Sequence, residues 1–447
     1  MARRWSTLAG SLLGSLTLVV TASCTSTPGS AEGGLPDADP RARTADVLVL
    51  GTADGPMLVD ALTAETLGGG AATLPAPDGS RVYTTSSRDG TTALVTRDAA
   101  TGDVVAETEV DGRFDVRVAS VSGEAVALMA PLPDGTHPWT PIPRSTTTIV
   151  VADPTGERPP ERLRLDGNFE PEAFSADDRN LFLIQHLPAE APTAYRVTFL
   201  ELDSGRILPV RGRFKVPPQR MPGTRLQQTF DPVKGQLYTL YTNEAGRDGA
   251  WDDGDAGSGA YGGGAYGSAS EQEAADVTFV HVLNLRDGWA FCAGVPRSLW
   301  GQPARALALA TSPDGSLLYI VDSMQGTVSE MHTRSLEIVR THDVDLGALD
   351  GTRTSAAVSA DGSVLFVGSA TDGDAVHALD TATLELVARW DVGARVHDLG
   401  LSIDGQRLYA ALDDAIALLD PDDGTALAEL PFGGVEEILH VATPVQG

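Results

Sequence analysis

The phrase TSPDGSLLYIVD at 311–322 returns as VSADGSVLFVGS at 358–369 and as LSIDGQRLYAAL at 401–412. Pro313 presets φ for a turn, Asp314 caps it through its side chain, and Gly315 accepts a positive φ, so the chain reverses here between two strands. Downstream, SMQG turns the chain, TVSEMHT reads as a third strand, RSLE turns it again and IVRTHDV reads as a fourth. Four antiparallel strands in about 45 residues make a unit the size of one propeller blade. One such sheet cannot bury both of its faces, so copies must stack, and stacking in a closed ring leaves no long exposed edge.

The same turn and following strand recur as APDGSRVYTT from 76, a degenerate VSGEAVALM from 121, SADDRNLFLI from 175 and DPVKGQLYTL from 231, which with the first three makes seven. Their spacing runs from about 40 to 85 residues, the excess lying in insertions. An eighth unit is split between the two ends of the chain. ILHVATPVQG at the C-terminus looks like a first strand and turn, and DVLVLGTADGPMLVDALTAETL at 46–67 supplies second, third and fourth strands. The expected fold is therefore all-β: a single β-propeller of four-stranded blades over 46–447, eight blades favoured over seven, with the ring closed by pairing of N- and C-terminal segments. Apolar residues at 42 % and charged residues at 21 % supply enough core for it.

LYIVDSMQGTVSEMHTRSLEIVRTHDVDLG and LFVGSATDGDAVHALDTATLELVARWDVG carry a PDG-type turn, an LYV-type strand, a T..LEVV-type hairpin and a closing VG. In these motifs the chain resembles the YVTN-repeat, lactonase-like class of bacterial β-propellers, well over 304–434 and weakly over 113–300. The resemblance implies an extracytoplasmic propeller. It leaves function open, because the class holds proteins without a known reaction alongside a few enzymes.

The first 23 residues read as an export leader: Arg3 and Arg4, an apolar run from Leu8 to Val20, then small residues. The run is shorter than the roughly 20 apolar residues a bilayer span needs. Thr21-Ala22-Ser23-Cys24 resembles the bacterial lipobox, so Cys24 is the expected lipidation (palmitate) site, with plain secretion as the alternative. Residues 24–45, rich in Ser, Thr, Gly, Pro and Asp, read as a disordered tether. Acylation of Cys24 leaves Cys292 alone, an apolar-flanked thiol with no disulfide partner. The expected location is the extracytoplasmic face of the cell membrane, reached through the lipid anchor only, as a monomer.

A formal charge of −29 argues against nucleic acid, whose phosphates require a basic face. Residues 246–276 form a low-complexity Gly-rich insertion between QLYTLYTN and VTFVHVLNL. Its GxGxxG at Gly257, Gly259 and Gly262 lacks the flanking strand and helix of a dinucleotide site, and Asp252, Asp253 and Asp255 lack the alternation of a calcium loop. No G-x-S-x-G, H-E-x-x-H or C-x-x-C occurs. No metal or cofactor is expected and no catalytic residue is assigned.

Counting back nine or ten residues from each turn, to where first strands begin over the channel, finds Arg113, Arg225, Arg305, Arg353 and Arg395, with Asn168, Gly69 and Glu437 at the other stations. Arginines recurring at one station in so acidic a chain suit a mouth that focuses an anion. Pairing with loop acids such as Asp111, Asp350 or Asp391 is the structural alternative. His397, two residues beyond Arg395, belongs to the same mouth, whereas His332 and His377 fall on third strands as packing residues. The functional expectation is a lipid-anchored propeller that binds an envelope protein or a small anionic ligand at its channel mouth without covalent chemistry. The alternative is a lactonase-like hydrolase using the same mouth.

Overall fold

The computed structural model describes residues 45–133, 140–213, 223–242, 278–302, 306–346, 354–369 and 374–443, with Arg41, Thr136 and Met221. The leader, Cys24, nearly all of the tether, the 246–276 insertion, Arg305 and Arg353 lie outside the described residues.

Among the described residues the strands form eight sheets, seven of four strands and one of five, each built on a four-stranded antiparallel meander from an inner first strand to an outer fourth. The inner strands are Ala72–Pro75 (blade 1), Asp115–Ala119 (blade 2), Asn168–Phe174 (blade 3), Thr224–Asp231 (blade 4), Leu307–Thr311 (blade 5), Ser355–Val358 (blade 6), Asp398–Leu401 (blade 7) and Val435–Ala442 (blade 8). The molecule is an eight-bladed β-propeller. Blade 8 is assembled from both chain ends: Val435–Ala442 pairs with Val47–Thr52, in register Val47↔Ala442 and Leu48↔Val441, and Met57–Asp60 and Thr66–Gly69 follow outward. Blade 4 carries a fifth strand, Arg211–Gly212, laid parallel on its outer edge against Trp289 and Ala290. That short segment covers an otherwise open row of backbone donors and acceptors.

The core is divided as the repeat requires. Eight apolar clusters each lie between two successive blades: one, for example, joins Leu309, Leu318 and Ile320 of blade 5 to Tyr238, Leu240 and Val282 of blade 4. The smallest unites Val47, Val49, Leu58 and Ala442 of blade 8 with Val82 and Ala99 of blade 1. Six second strands place an aromatic ring at the same position, and Tyr83, Phe182, Tyr238, Tyr319, Phe366 and Tyr409 are all fully buried. The first-to-second turns have the geometry their residues dictate. At 312–317, Gly315 has φ +67° and Asp314 Oδ1 accepts from the Ser316 amide at 2.9 Å and hydroxyl at 2.7 Å.

Antiparallel meanders put the starts of first strands and the second-to-third connections at one end of every blade. The second-to-third connections of blades 2 and 3 (130–145 and 188–193) therefore leave their strands at one end, the end at which Gln236–Thr242 stops and Thr278–Asn284 starts in blade 4. In repeat folds insertions gather on the binding face.

Candidate ligand site at the channel mouth

At that face the inner strands of blades 2 and 3 share an irregularity. Each carries one extra residue in its pairing, Arg117 between Val116 and Val118 and Glu172 between Pro171 and Ala173. A bulge breaks the in-out alternation and re-aims side chains, and such bulges concentrate beside functional sites. A proline beside the second bulge fits, since proline in a sheet is confined to edges and bulges.

The result is a cluster of arginines and glutamates between blades 2, 3 and 4. Glu172, with no exposed side-chain surface, pairs with Arg225, accepts from Gln228 Nε2 at 2.8 Å and lies 3.4 Å from the Thr239 hydroxyl. Glu170, two residues earlier, lies 3.8 Å from Arg117 Nε and 3.4 Å from Arg144 Nη2. Arg117 comes from the inner strand of blade 2, and Arg144 from that blade's long connection. Burial raises the Glu170 carboxyl above the usual carboxylate range against the opposing pull of Arg117, Arg144 and Arg225. His186, which pairs with Asn168 across the sheet, is held at about 4 by burial and by the charges of Arg144 and Arg225, so at neutral pH it is uncharged. Asn168 is wholly buried and donates to the Ile142 and Ala189 carbonyls, tying together the connections of blades 2 and 3. Beneath Arg225, Tyr241 stacks on Tyr195 at 4.6 Å and on Phe279 at 5.5 Å, a wall shared by blades 3 and 4.

Of the expected site residues, Arg113, Arg225 and Arg395 stand at this end of their blades, with different surroundings. Arg113 is exposed just ahead of the blade 2 inner strand. Arg225 is committed to Glu172. Arg395 is exposed on a cleft of about 480 Å³ between blades 6 and 7, whose other charged residues are Asp374, Asp413, Asp414 and Glu429. His397 Nε2 lies 2.8 Å from Asp413 Oδ1. Among the described residues, arginines gather at the mouth over blades 2–4, whereas Arg395 sits among carboxylates between blades 6 and 7. Asn168 opens its inner strand and Glu437 lies within its own, as counted, but Gly69 ends the outermost strand of blade 8. Asp391 pairs with Arg389 at 2.8 Å. His332 and His377 lie on third strands, and burial lowers the His377 pKa. Cys292 is half-buried, its Sγ 3.1 Å from Met221 Sδ, and burial pushes its thiol up to about 12, which leaves it protonated and unreactive.

Glu170, Glu172, Arg117 and Arg144 were missed because the count from the turns read only the start of each inner strand, while three of them lie further along those strands and Arg144 on a connection. The available signal was NFEPEAF, two glutamates flanking a proline inside a strand obliged to line the channel.

The fold defines the class: an eight-bladed β-propeller with an elaborated mouth over three blades. Among solved structures the chain is similar to the dihydro-heme d1 dehydrogenase NirN in complex with DHE, with a TM-score of 0.52 and 16 % identity over 92 % of this chain and 77 % of that one. It is also similar to apo AztD from Citrobacter koseri, with a TM-score of 0.52 and 11 % identity over 90 % and 98 %. A putative 6-phosphogluconolactonase from Bacteroides fragilis NCTC 9343 matches with a TM-score of 0.41 and 13 % identity over 81 % and 98 %. The first two likenesses reach the propeller fold and no further. No family model matches the chain, and no curated protein matches it.

Proposed function

We propose that this chain is a YVTN-type extracytoplasmic propeller, anchored through Cys24, that binds a small anionic ligand at its mouth over blades 2–4 without covalent chemistry. The observation that carries the reading is the convergence of Arg117, Arg144 and Arg225 on two carboxylates at the end of blades 2–4 where the inner strands begin. Three guanidinium groups gather against Glu170 and Glu172, and Asp115 adds a third carboxylate beside Arg117 and Arg113. Partly desolvated guanidinium groups attract oxyanions more strongly than the same groups would in water. Propellers hold ligands over the channel because every blade contributes to its rim while the blade cores stay intact.

Titration calorimetry with acetate, citrate, sulfate and inorganic phosphate tests the reading. At least one of these should bind saturably, and the pair Arg117→Gln with Arg144→Gln should weaken it by about tenfold or more, since each charged hydrogen bond contributes roughly 1.5–3 kcal/mol. Absence of binding by all four, or binding indifferent to both substitutions, would overturn the mouth as an anion site. Independently, Cys24→Ala should move the protein from the detergent phase to the aqueous phase. If partition is unchanged, the anchor is not at Cys24.

A further inference from the structure

We infer that Glu170 is an internal stand-in for the ligand: its carboxylate occupies the space between Arg117 and Arg144, and an incoming oxyanion binds by displacing it. This rests on the anion-site reading and adds a mechanism of exchange to it.

The geometry of this pairing sets it apart from the committed ion pairs of the same molecule. Arg407 meets Asp46 with two bonds, at 2.6 and 3.0 Å, and Arg340 meets Glu330 with two, at 2.9 and 2.6 Å. Glu170 instead stands 3.8 Å from Arg117 and 3.4 Å from Arg144, beyond or at the edge of hydrogen-bonding distance. Arg117 Nε is buried without a hydrogen-bond partner, while Arg117 Nη2 donates to the Ala130 carbonyl at 3.1 Å, so the guanidinium is anchored with its buried Nε donor unused. A buried donor without a partner costs about 1–3 kcal/mol. An oxyanion with two or more oxygens can reach both guanidinium groups at bonding distance, which the tethered carboxylate does not. The two arginines come from different stretches of blade 2 and the glutamate from blade 3, so the pairing joins separate elements. The Asn168 Oδ1, fully buried two residues away on the same strand, is likewise unpartnered and available to a ligand hydroxyl or to a protonated carboxyl.

Displacement has a proton balance. The groups facing Glu170 are Arg117 and Arg144 of blade 2, Glu172 of its own strand and Arg225 of blade 4, with His186 beside Arg144 and Arg225. Once Glu170 leaves its arginines, its buried carboxylate takes one proton from solvent, and no other bond is made or broken. His186 stays neutral throughout the range in which this occurs. Binding should therefore strengthen as pH falls, for a ligand whose own charge is constant.

Sulfate keeps its charge between pH 5 and 8 and is the probe. Titration calorimetry of the full chain should show wild-type affinity rising as pH falls within that range, with net proton uptake seen in buffers of different ionisation enthalpy. Glu170→Gln keeps the shape and removes the competing charge. It should bind sulfate about tenfold or more tightly at pH 8, with little remaining pH dependence and no linked proton uptake. Glu170→Ala should behave alike, so that misfolding of one variant, seen in its melting curve, does not decide the matter. If both glutamate variants bind no better than wild type while Arg144→Gln loses binding, the exchange is overturned and the anion site survives. If neither wild type nor the glutamate variants bind sulfate, the exchange falls together with sulfate recognition at this mouth.

Discussion

Asp46 stands immediately ahead of the first described strand and its carboxylate is entirely buried. Arg407 of blade 7, with 2 % of its side chain exposed, spans it with Nε and Nη2, the Tyr409 hydroxyl donates to it at 2.7 Å, and Arg407 also reaches Asp404 at 3.0 Å. Here a charge pair closes the seam between blades 7 and 8, the last joint of the ring. Such a pair adds little net stability over an apolar substitute, but removing one partner strands a buried charge at a cost of about 3–5 kcal/mol. Arg407→Met alone should therefore lower the urea midpoint sharply, and adding Asp46→Leu should recover much of the loss. If the double variant is as weak as the single one, the pair contributes through something other than charge compensation. The sequence already marks this position: Arg407 stands where the two preceding repeats carry Leu317 and Val364, so the repeat announces an exception although its partner, 361 residues away, cannot be found by spacing.

The turn that opens each blade is the most legible element of the chain because its chemistry is local. Ser312 and Ser316 hydroxyls donate to Asp314 at 2.7 Å each, and Ser359 and Ser363 donate to Asp361 at 2.6 and 2.8 Å. These bonds hold both carboxyls at about 2. Each carboxylate thus binds its proton more weakly in the folded chain than at the unfolded value near 3.9. Its contribution to stability is complete above about pH 4 and is lost as pH falls toward 2. Both side chains are solvent-exposed, so screening keeps the effect small at each turn. The paired substitution Asp314→Asn and Asp361→Asn preserves the acceptors and removes the charge. Its urea midpoint should fall less steeply than that of wild type between pH 4 and pH 2. Parallel curves would mean that the acid response arises elsewhere, for instance at the mouth. The mouth was less legible than the turns because counting back from a turn reaches only the start of each inner strand: it found Asn168 and Arg225, whereas Glu170 lies further along its strand and Arg144 on a connection.

At the scale of the whole molecule, the split eighth blade follows from matching a first strand at the end of the sequence to three strands at its start. Ala442 pairs with Val47. In blade 6 the corresponding pair, Val358 and Leu365, is joined by a six-residue turn. Thr443-Pro444 repeats in sequence the beginning of the turn seen in Ser312-Pro313. Thr443 already behaves as part of that turn, its hydroxyl accepting from the Ile403 amide at 3.2 Å. A circular permutant follows directly. Ala442 would be joined to Asp46 through Ser-Ala-Asp-Gly-Ser, and the new ends would open within 246–276, between two strands that are already neighbours. Covalent closure replaces an association of distant segments by a short loop, which lowers the entropic cost of forming the blade. The permutant should fold with a melting temperature at or above that of the native order, whereas deletion of 435–447 should expose the inner edge of Val47–Thr52, empty the apolar cluster around Val435, Ile438 and Val441, and yield aggregated protein. A permutant that melts well below the native chain, together with a truncated chain that remains soluble and cooperative, would show that ring closure at blade 8 is not what holds the propeller together.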